Sequence, residues 1–486
     1  MTQQPDPADT PPALPALKVP EPKVDPENPW GDDKLDRKEI ADRLTSIVRG
    51  QDAPFVISLD GRWGTGKTFL LERWAHDLRS QDFEAIYYNA WEDDFADDPL
   101  LAIIAQLSEH LSESWGDRVS KLVDVAGPLL YYGASVASLA VSGVPLPPIP
   151  TGGDESPSLE LDAYQEKRAA KEDLRKSLEL LASDVHDETG QPLVFIIDEL
   201  DRCRPPFAIE LLERVKHIFD VPNIVFVFGI NRGELVKSLE SVYGEIDAGT
   251  YLRRFFDMEF VVPEPDPNRF CLHLLNRYRV DRFLSELADQ SFGGYDSRLN
   301  SIAWGLPALL RYMGLSLRDM DYCVRLLALA TRDMEPRRSS YPMLLIPLVA
   351  VKIDNPDLYR RFTQGGARGA TLIDYFDECH AARDTALSRD GNQDLLVHME
   401  AAVYCADNAE NALGQLDGLL NGVRADPPLY VSRQAAGVVG KSAPGANRLE
   451  AVRNVLREYK DQDSGYSRSL WSLTRQIDLA YGMTRR

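Results

Sequence analysis

Two kinds of hydrophobic spacing alternate along the first half of this chain. Residues 32–50, DDKLDRKEIADRLTSIVRG, place Leu35, Ile40, Leu44, Ile47 and Val48 at helical spacing. The run from Phe55 to Leu59 is apolar without alternation, as expected of a buried strand. It leads into a glycine-rich turn and then a helix over about 67–80. A second strand is expected at 84–89 (EAIYYN), followed by a helix over roughly 98–114. A charged helical stretch near 160–188 precedes PLVFIIDEL, an apolar strand that ends in carboxylates. Then come a helix near 206–219, the apolar strand 224–230 (IVFVFGI), a helix near 232–242, and YLRRFFDMEFVVPEP. Fully apolar strands alternating with helices predict a parallel sheet covered on both faces, an α/β domain over 30–263. From 264 to 360 the pattern is amphipathic and helical, as in LRDMDYCVRLLALA (317–330), and suggests a helical lid. Residues 361–486 read as a mostly helical C-terminal region without a motif.

Two segments break the pattern. Residues 1–29 are proline-rich and acidic with no apolar core, and predict a disordered or extended tail. The stretch 125–153 carries no charge and has the length of a bilayer span, for which about 20 apolar residues suffice. Glycines, serines and prolines dilute it, so a loop or small helical insertion at about 120–160 is expected rather than a membrane segment.

Charge narrows the partners. The chain has 54 basic and 76 acidic residues, a net charge of −22. A field of that sign repels nucleic acid and anionic membranes, so neither is an expected partner of the isolated chain. Five cysteines (203, 271, 323, 379 and 405) form no CxxC pair, and no secretory signal is visible. That pattern argues against a disulfide framework or a zinc site and predicts a cytoplasmic protein.

The chemistry lies at two strand ends. Gly61-Arg62-Trp63-Gly64-Thr65-Gly66-Lys67-Thr68 satisfies G-x-x-x-x-G-K-[ST] between a predicted strand and a predicted helix. Its glycines let backbone N–H groups turn inward onto phosphates at a helix start, with Phe69 continuing the segment. Lys67 is expected to reach the β- and γ-phosphates of ATP, and Thr68 to coordinate Mg²⁺. Asp198, ending the apolar strand from Leu193, is the second magnesium ligand, and Glu199 the general base that polarises water. Asn231, at the end of the 224–230 strand, can orient that water or sense the γ-phosphate. Arg253 and Arg254 are candidate arginine fingers, in the same chain or in a neighbouring subunit. Both also suit surface pairing with the many carboxylates. Arg318 is a weaker lid candidate.

The ordered segments GRWGTGKTFLLE, YYNAWEDD, VFIIDELDRCRPPFAIELLERVKHIFDVPNIVFVFGINRGEL and YLRRFFDMEFVVPEP resemble the KAP P-loop NTPases over about 50–265. The resemblance implies a P-loop fold of the KAP/STAND/AAA-like kind and ATP hydrolysis. It also implies that Asp198, Glu199, Asp201 and Arg202 form the family's acidic segment, and Asn89 and Trp91 its NAW-type segment. Glu199 stands where the family commonly has a second Asp. Members often carry transmembrane helices between the two nucleotide motifs, where 125–153 lies. Bacterial members occur in multi-gene anti-phage defence systems, including as an operon's ATPase component. That implies coupling of turnover to assembly or activation of a complex, with partners encoded nearby and a possible homo-oligomer. A nucleotide-dependent switch or scaffold with little turnover, and a membrane-associated signalling NTPase, are the alternatives.

Overall fold

The computed structural model describes residues 14–19, 23–96, 98–133, 157–264, 266–283, 313–332, 342–364, 366–383, 393–424, 430–443 and 445–461, with Leu306, Leu309 and Ile477. The described residues fall into two compact units, those of Pro22–Glu264 and those of Met1–Glu21 with Pro265–Arg486.

The first unit is built on a five-stranded sheet. Its strands are β1 (Phe55–Asp60), β2 (Ala85–Asn89), β3 (Leu193–Asp198), β4 (Ile224–Ile230) and β5 (Met258–Val261). All pairings are parallel and the order is β2-β3-β4-β1-β5. Every residue of β3 and β4 is buried. Alternate side chains of these strands enter different cores. Ile57, Leu59, Val194, Ile196, Val225 and Val227 pack with α1 (Arg37–Val48) and α2 (Lys67–Arg79). Val56, Phe195, Ile197, Phe226 and Phe228 pack on the other face. That face is covered by α3 (Pro99–Gly133), α4 (Pro157–Thr189), α5 (Pro205–Ile218), α6 (Arg232–Tyr243) and α7 (Ala248–Leu252). Two apolar faces explain why the strand sequences do not alternate. Phe226 stacks on Phe195 at 5.4 Å and meets the edge of Phe219 at 5.7 Å between ring centres, the arrangements aromatic quadrupoles favour.

The helix expected over 98–114 does not stop there. A kink at Trp115 (φ −126°, ψ 28°) marks the expected end, and helix continues to Gly133. Val119, Leu122 and Ala126 keep one face of the continuation buried, packed with Leu174, Leu178, Leu181 and Val185 of α4. Residues 125–133 of the uncharged stretch are therefore the last turns of α3, and 134–153 lie outside the described residues. Among the described residues no helix is long and apolar enough to cross a membrane.

The second unit is helical: α8 (Pro267–Arg277), α9 (Leu317–Thr331), α10 (Pro342–Asp354), α11 (Pro356–Thr363), α12 (Gly369–Arg383), α13 (Gln393–Leu420), α14 (Arg433–Ala436) and α15 (Ala446–Asp461). Helix α9 opens with a reciprocal cap, Ser316 and Asp319 each bonding the other's backbone N–H. The segments 264–360 and 361–486 contribute to one continuous core in this unit. Part of the expected N-terminal tail is placed here too: the Ala16 amide donates to the Tyr278 carbonyl at 2.9 Å and Arg277 to the Val19 carbonyl at 3.3 Å.

Candidate functional site

The carboxyl ends of β1, β3 and β4 lie side by side, because Asp60 pairs with Ile230 and Asp198 with Gly229. Polar residues that terminate these apolar strands therefore gather at one edge, where open α/β sheets place their ligand sites. The Gly61 amide donates to the Ile230 carbonyl at 3.1 Å, which fixes the start of the loop. Gly64 and Gly66 both have φ of 84°, the left-handed region that a Cβ disfavours. Gly66 is the cap of α2, so the loop's free amides and the helix's positive end converge.

Lys67 is buried, and its ammonium donates to the Gly61 carbonyl at 2.5 Å and the Arg62 carbonyl at 3.3 Å. Burial pushes its pKa down, while the Asp201, Asp198 and Asp60 carboxylates oppose that shift. Among the described residues these loop carbonyls are the acceptors it bonds, and an ammonium held that way can exchange them for phosphate oxygens. Thr65 closes the loop by donating its hydroxyl to the Arg62 carbonyl at 2.9 Å. Arg62 and Trp63 are exposed. The Phe69 ring packs under the Arg73 guanidinium, 3.5 Å from the ring centre, and Arg73 is itself held by Asp32 at 2.9 and 2.5 Å.

Asp198 is 1% exposed. Burial raises the pKa of its carboxyl; hydrogen bonds from Thr68, from the Glu199 amide (2.8 Å) and from Tyr87 (3.2 Å), and the Lys67 charge, pull it back. A desolvated carboxylate touching a threonine hydroxyl beside phosphate-binding amides is a hard-oxygen donor pair that suits Mg²⁺. Glu199 follows with φ of 60°. Its carboxylate meets Arg202 at 2.8 Å, and Arg202 sits 5.4 Å from the centre of the Trp91 ring. Asn231 caps α6 at this edge of the sheet, and its side chain makes no capping hydrogen bond.

Other expected residues are placed differently. The Asn89 side chain donates to Glu92 at 2.9 Å and accepts from the Trp91 amide at 3.2 Å, so it shapes the turn after β2. Arg253 and Arg254 are exposed and precede β5, and the following Asp257 bonds Val56 near the amino end of β1. They therefore sit toward the opposite edge of the sheet from their own phosphate loop. Arg318 lies in the first turn of α9, in the second unit.

The sequence reading missed Arg37. It is 2% exposed, donates to the Thr65 carbonyl at 2.7 Å and the Pro263 carbonyl at 2.8 Å, and burial lowers its pKa. Nothing in the spacing of α1 separates this arginine from a solvated one. In the sequence Asp201 stands out only as part of an acidic segment; in the structure its carboxylate accepts from the Trp63 indole at 2.5 Å and the Asn231 backbone amide at 2.9 Å.

Residues 37–324 match the model of the KAP family P-loop domain. A search of curated proteins finds no match. Among solved structures, the chain is similar to the Aeropyrum pernix ORC2 protein in its ADPNP-ADP complexes, at 15% identity over 90% of this chain and 95% of that one, TM-score 0.28. The ADP form gives 14% identity over 91% and 96%, TM-score 0.32. Cdc6p from Pyrobaculum aerophilum gives 13% identity over 93% and 95%, TM-score 0.30.

Proposed function

The chain belongs to the KAP family of P-loop NTPases, and we propose that it binds ATP with Mg²⁺ and hydrolyses it. The observation that carries this reading is the convergence of Lys67, Thr68, Asp198 and Glu199 at one sheet edge beside the glycine loop. The amides of residues 62–68 receive the phosphates, and Lys67 exchanges its carbonyl partners for β- and γ-oxygens. Thr68 and Asp198 would hold Mg²⁺, which offsets the phosphate charge. Glu199 takes a proton from the attacking water as the water oxygen bonds the γ-phosphorus, the bond from that phosphorus to the bridging β-oxygen breaks, and ADP and inorganic phosphate leave. Asn231 orients the water or the γ-phosphate. Arg253 and Arg254 act on a neighbouring copy, since they precede the edge strand on the side away from their own loop.

In this reading turnover drives assembly or activation of a complex, and the setting we infer from the resemblance to bacterial family members is anti-phage defence. Expected partners are proteins encoded nearby rather than nucleic acid, and the cytoplasm is the expected compartment. Phosphate release by the purified chain, with and without such partners, tests the enzyme. Lys67→Ala should abolish release, and Glu199→Gln should bind ATP yet hydrolyse it at least about tenfold more slowly. Release no faster than that of Lys67→Ala under both conditions would sink the enzyme reading. A switch with little turnover is the second reading, favoured by one observation: the Glu199 carboxylate is engaged in an ion pair with Arg202 at 2.8 Å.

A further inference from the structure

A phosphate loop works only if its amides are aimed before the ligand arrives, because reorganisation on binding costs affinity. Residues 61–66 have no helix or strand to hold them. One side of the loop is held by Arg37 through the Thr65 carbonyl. The outer side, Arg62–Trp63, is exposed; within the loop the Arg62 carbonyl accepts from Thr65 and Lys67, and the Trp63 indole ties this side to another segment through Asp201 at 2.5 Å.

Asp201 is 8% exposed and lies in the short 3-10 turn Leu200–Arg202, three residues beyond Asp198. One carboxylate oxygen accepts from Trp63 and the other from the Asn231 amide at 2.9 Å. One side chain thus joins three segments: the loop after β1, the turn after β3 and the junction between β4 and α6. They carry Lys67, the Asp198-Glu199 pair and Asn231. Asp201 is also foremost among the carboxylates that favour the charged form of Lys67. Helix α5 starts only at Pro205 and draws no cap from Asp201.

We propose that Asp201 is a positioning residue: it fixes the outer shoulder of the phosphate loop, through Trp63, to the carboxyl ends of β3 and β4. This rests on the nucleotide-binding reading above. The bond to Trp63 holds the Arg62–Trp63 amides in register with those of Gly64–Thr68. Breaking it loosens the binding site without opening the sheet.

Two variants remove the same bond from opposite sides. In Asp201→Asn the amide oxygen still accepts from Asn231, but the NH₂ group faces an indole N–H that it cannot accept. In Trp63→Phe the donor disappears from a position that is 40% exposed, so the fold is retained. The probe is a fluorescent ADP analogue with Mg²⁺, titrated against wild type, both single variants, the double variant and Lys67→Ala. Each single variant should weaken binding by about tenfold, the size expected for one charge-assisted hydrogen bond. The double variant should be no weaker than the worse single one. Trp63 also gives a signature independent of nucleotide. The wild-type minus Trp63→Phe emission spectrum isolates this indole. In the Asp201→Asn background the same difference should shift to longer wavelength as the indole loses its partner. Unchanged affinity in both single variants, or additive losses, or identical difference spectra would overturn the proposal. If wild type bound the analogue no better than Lys67→Ala, the nucleotide reading itself would fall, and the emission comparison alone would decide the contact.

Discussion

At the scale of single residues, the site depends on charges that folding has taken out of water. Arg37 exchanges hydration for two carbonyls, those of Thr65 and Pro263. Arg37→Ala leaves the Thr65 carbonyl, whose bond to Arg37 is buried, without that donor, which costs about 1–3 kcal/mol, while the exposed Pro263 can turn to water. Chemical denaturation should show that loss, and nucleotide affinity should fall with it because the Thr65 carbonyl is no longer fixed. The Glu199–Arg202 pair makes a different kind of statement. If the ion pair restrains the base, Arg202→Ala raises basal phosphate release. An unchanged or lower rate would instead make Arg202 a support for the 3-10 turn.

At the scale of elements, close approach of backbone and side chain decides where Asp198 can be. Gly229, opposite Asp198 in the ladder, has no room for a side chain: a Cβ there would sit 2.4 Å from Leu71 and 2.6 Å from an Asp198 oxygen. Leu71 can turn, but the carboxylate would be pushed off the position that Thr68 and Tyr87 define. Gly229→Ala should therefore cost about 1–3 kcal/mol of stability, as overpacking does. Magnesium-dependent nucleotide binding should fall more steeply than the melting temperature implies, and equal losses in both would assign the effect to packing alone. The strands themselves were legible because their apolar runs are short and end in polar residues. The end of α3 was not. A kink at Trp115 followed by Gly116 and Asp117 looks like a stop, while the burial of Val119, Leu122 and Ala126 against α4 carries the helix on.

At the scale of the whole molecule, the two units offer separate tests. In the helical unit, Arg448 bonds Glu400 at 2.8 Å and lies 3.5 Å from Asp377, and its own pKa is raised despite burial because two carboxylates face it. Asp377 shares that one guanidinium with the buried Glu400, so burial prevails and pushes its carboxyl up to about 6 from the usual 3.8. A carboxyl raised on folding favours the folded state while protonated, and that share of stability is lost as pH rises from about 4 through about 6. Asp377→Asn should melt close to wild type at pH 4 and above it at pH 7; a gap independent of pH would show that Asp377 does not titrate in that range. In the other unit, mixing Arg254→Ala chains with Lys67→Ala chains tests action between copies. Recovered phosphate release in the mixture, when neither variant alone is active, is the expected outcome of fingers reaching a neighbour's loop.

The sequence alone determined the sheet, the phosphate loop and the acidic strand end. Each is a local pattern: apolar runs of strand length, glycines at fixed spacing, and carboxylates directly after a buried strand. Kinship with KAP P-loop proteins followed from the order of those patterns. What only the tertiary structure decided are the contacts between segments far apart in the chain. Arg37 reaches the Thr65 carbonyl, Asp201 joins Trp63 to Asn231, and Gly229 makes room for Asp198. Arg253 and Arg254 fall toward the other edge of the sheet because a parallel strand must start where its neighbours start. Spacing along the chain carries no information about such pairings. They arise when parallel register brings the ends of β1, β3 and β4 together and burial leaves each polar group to find the partner nearest to it.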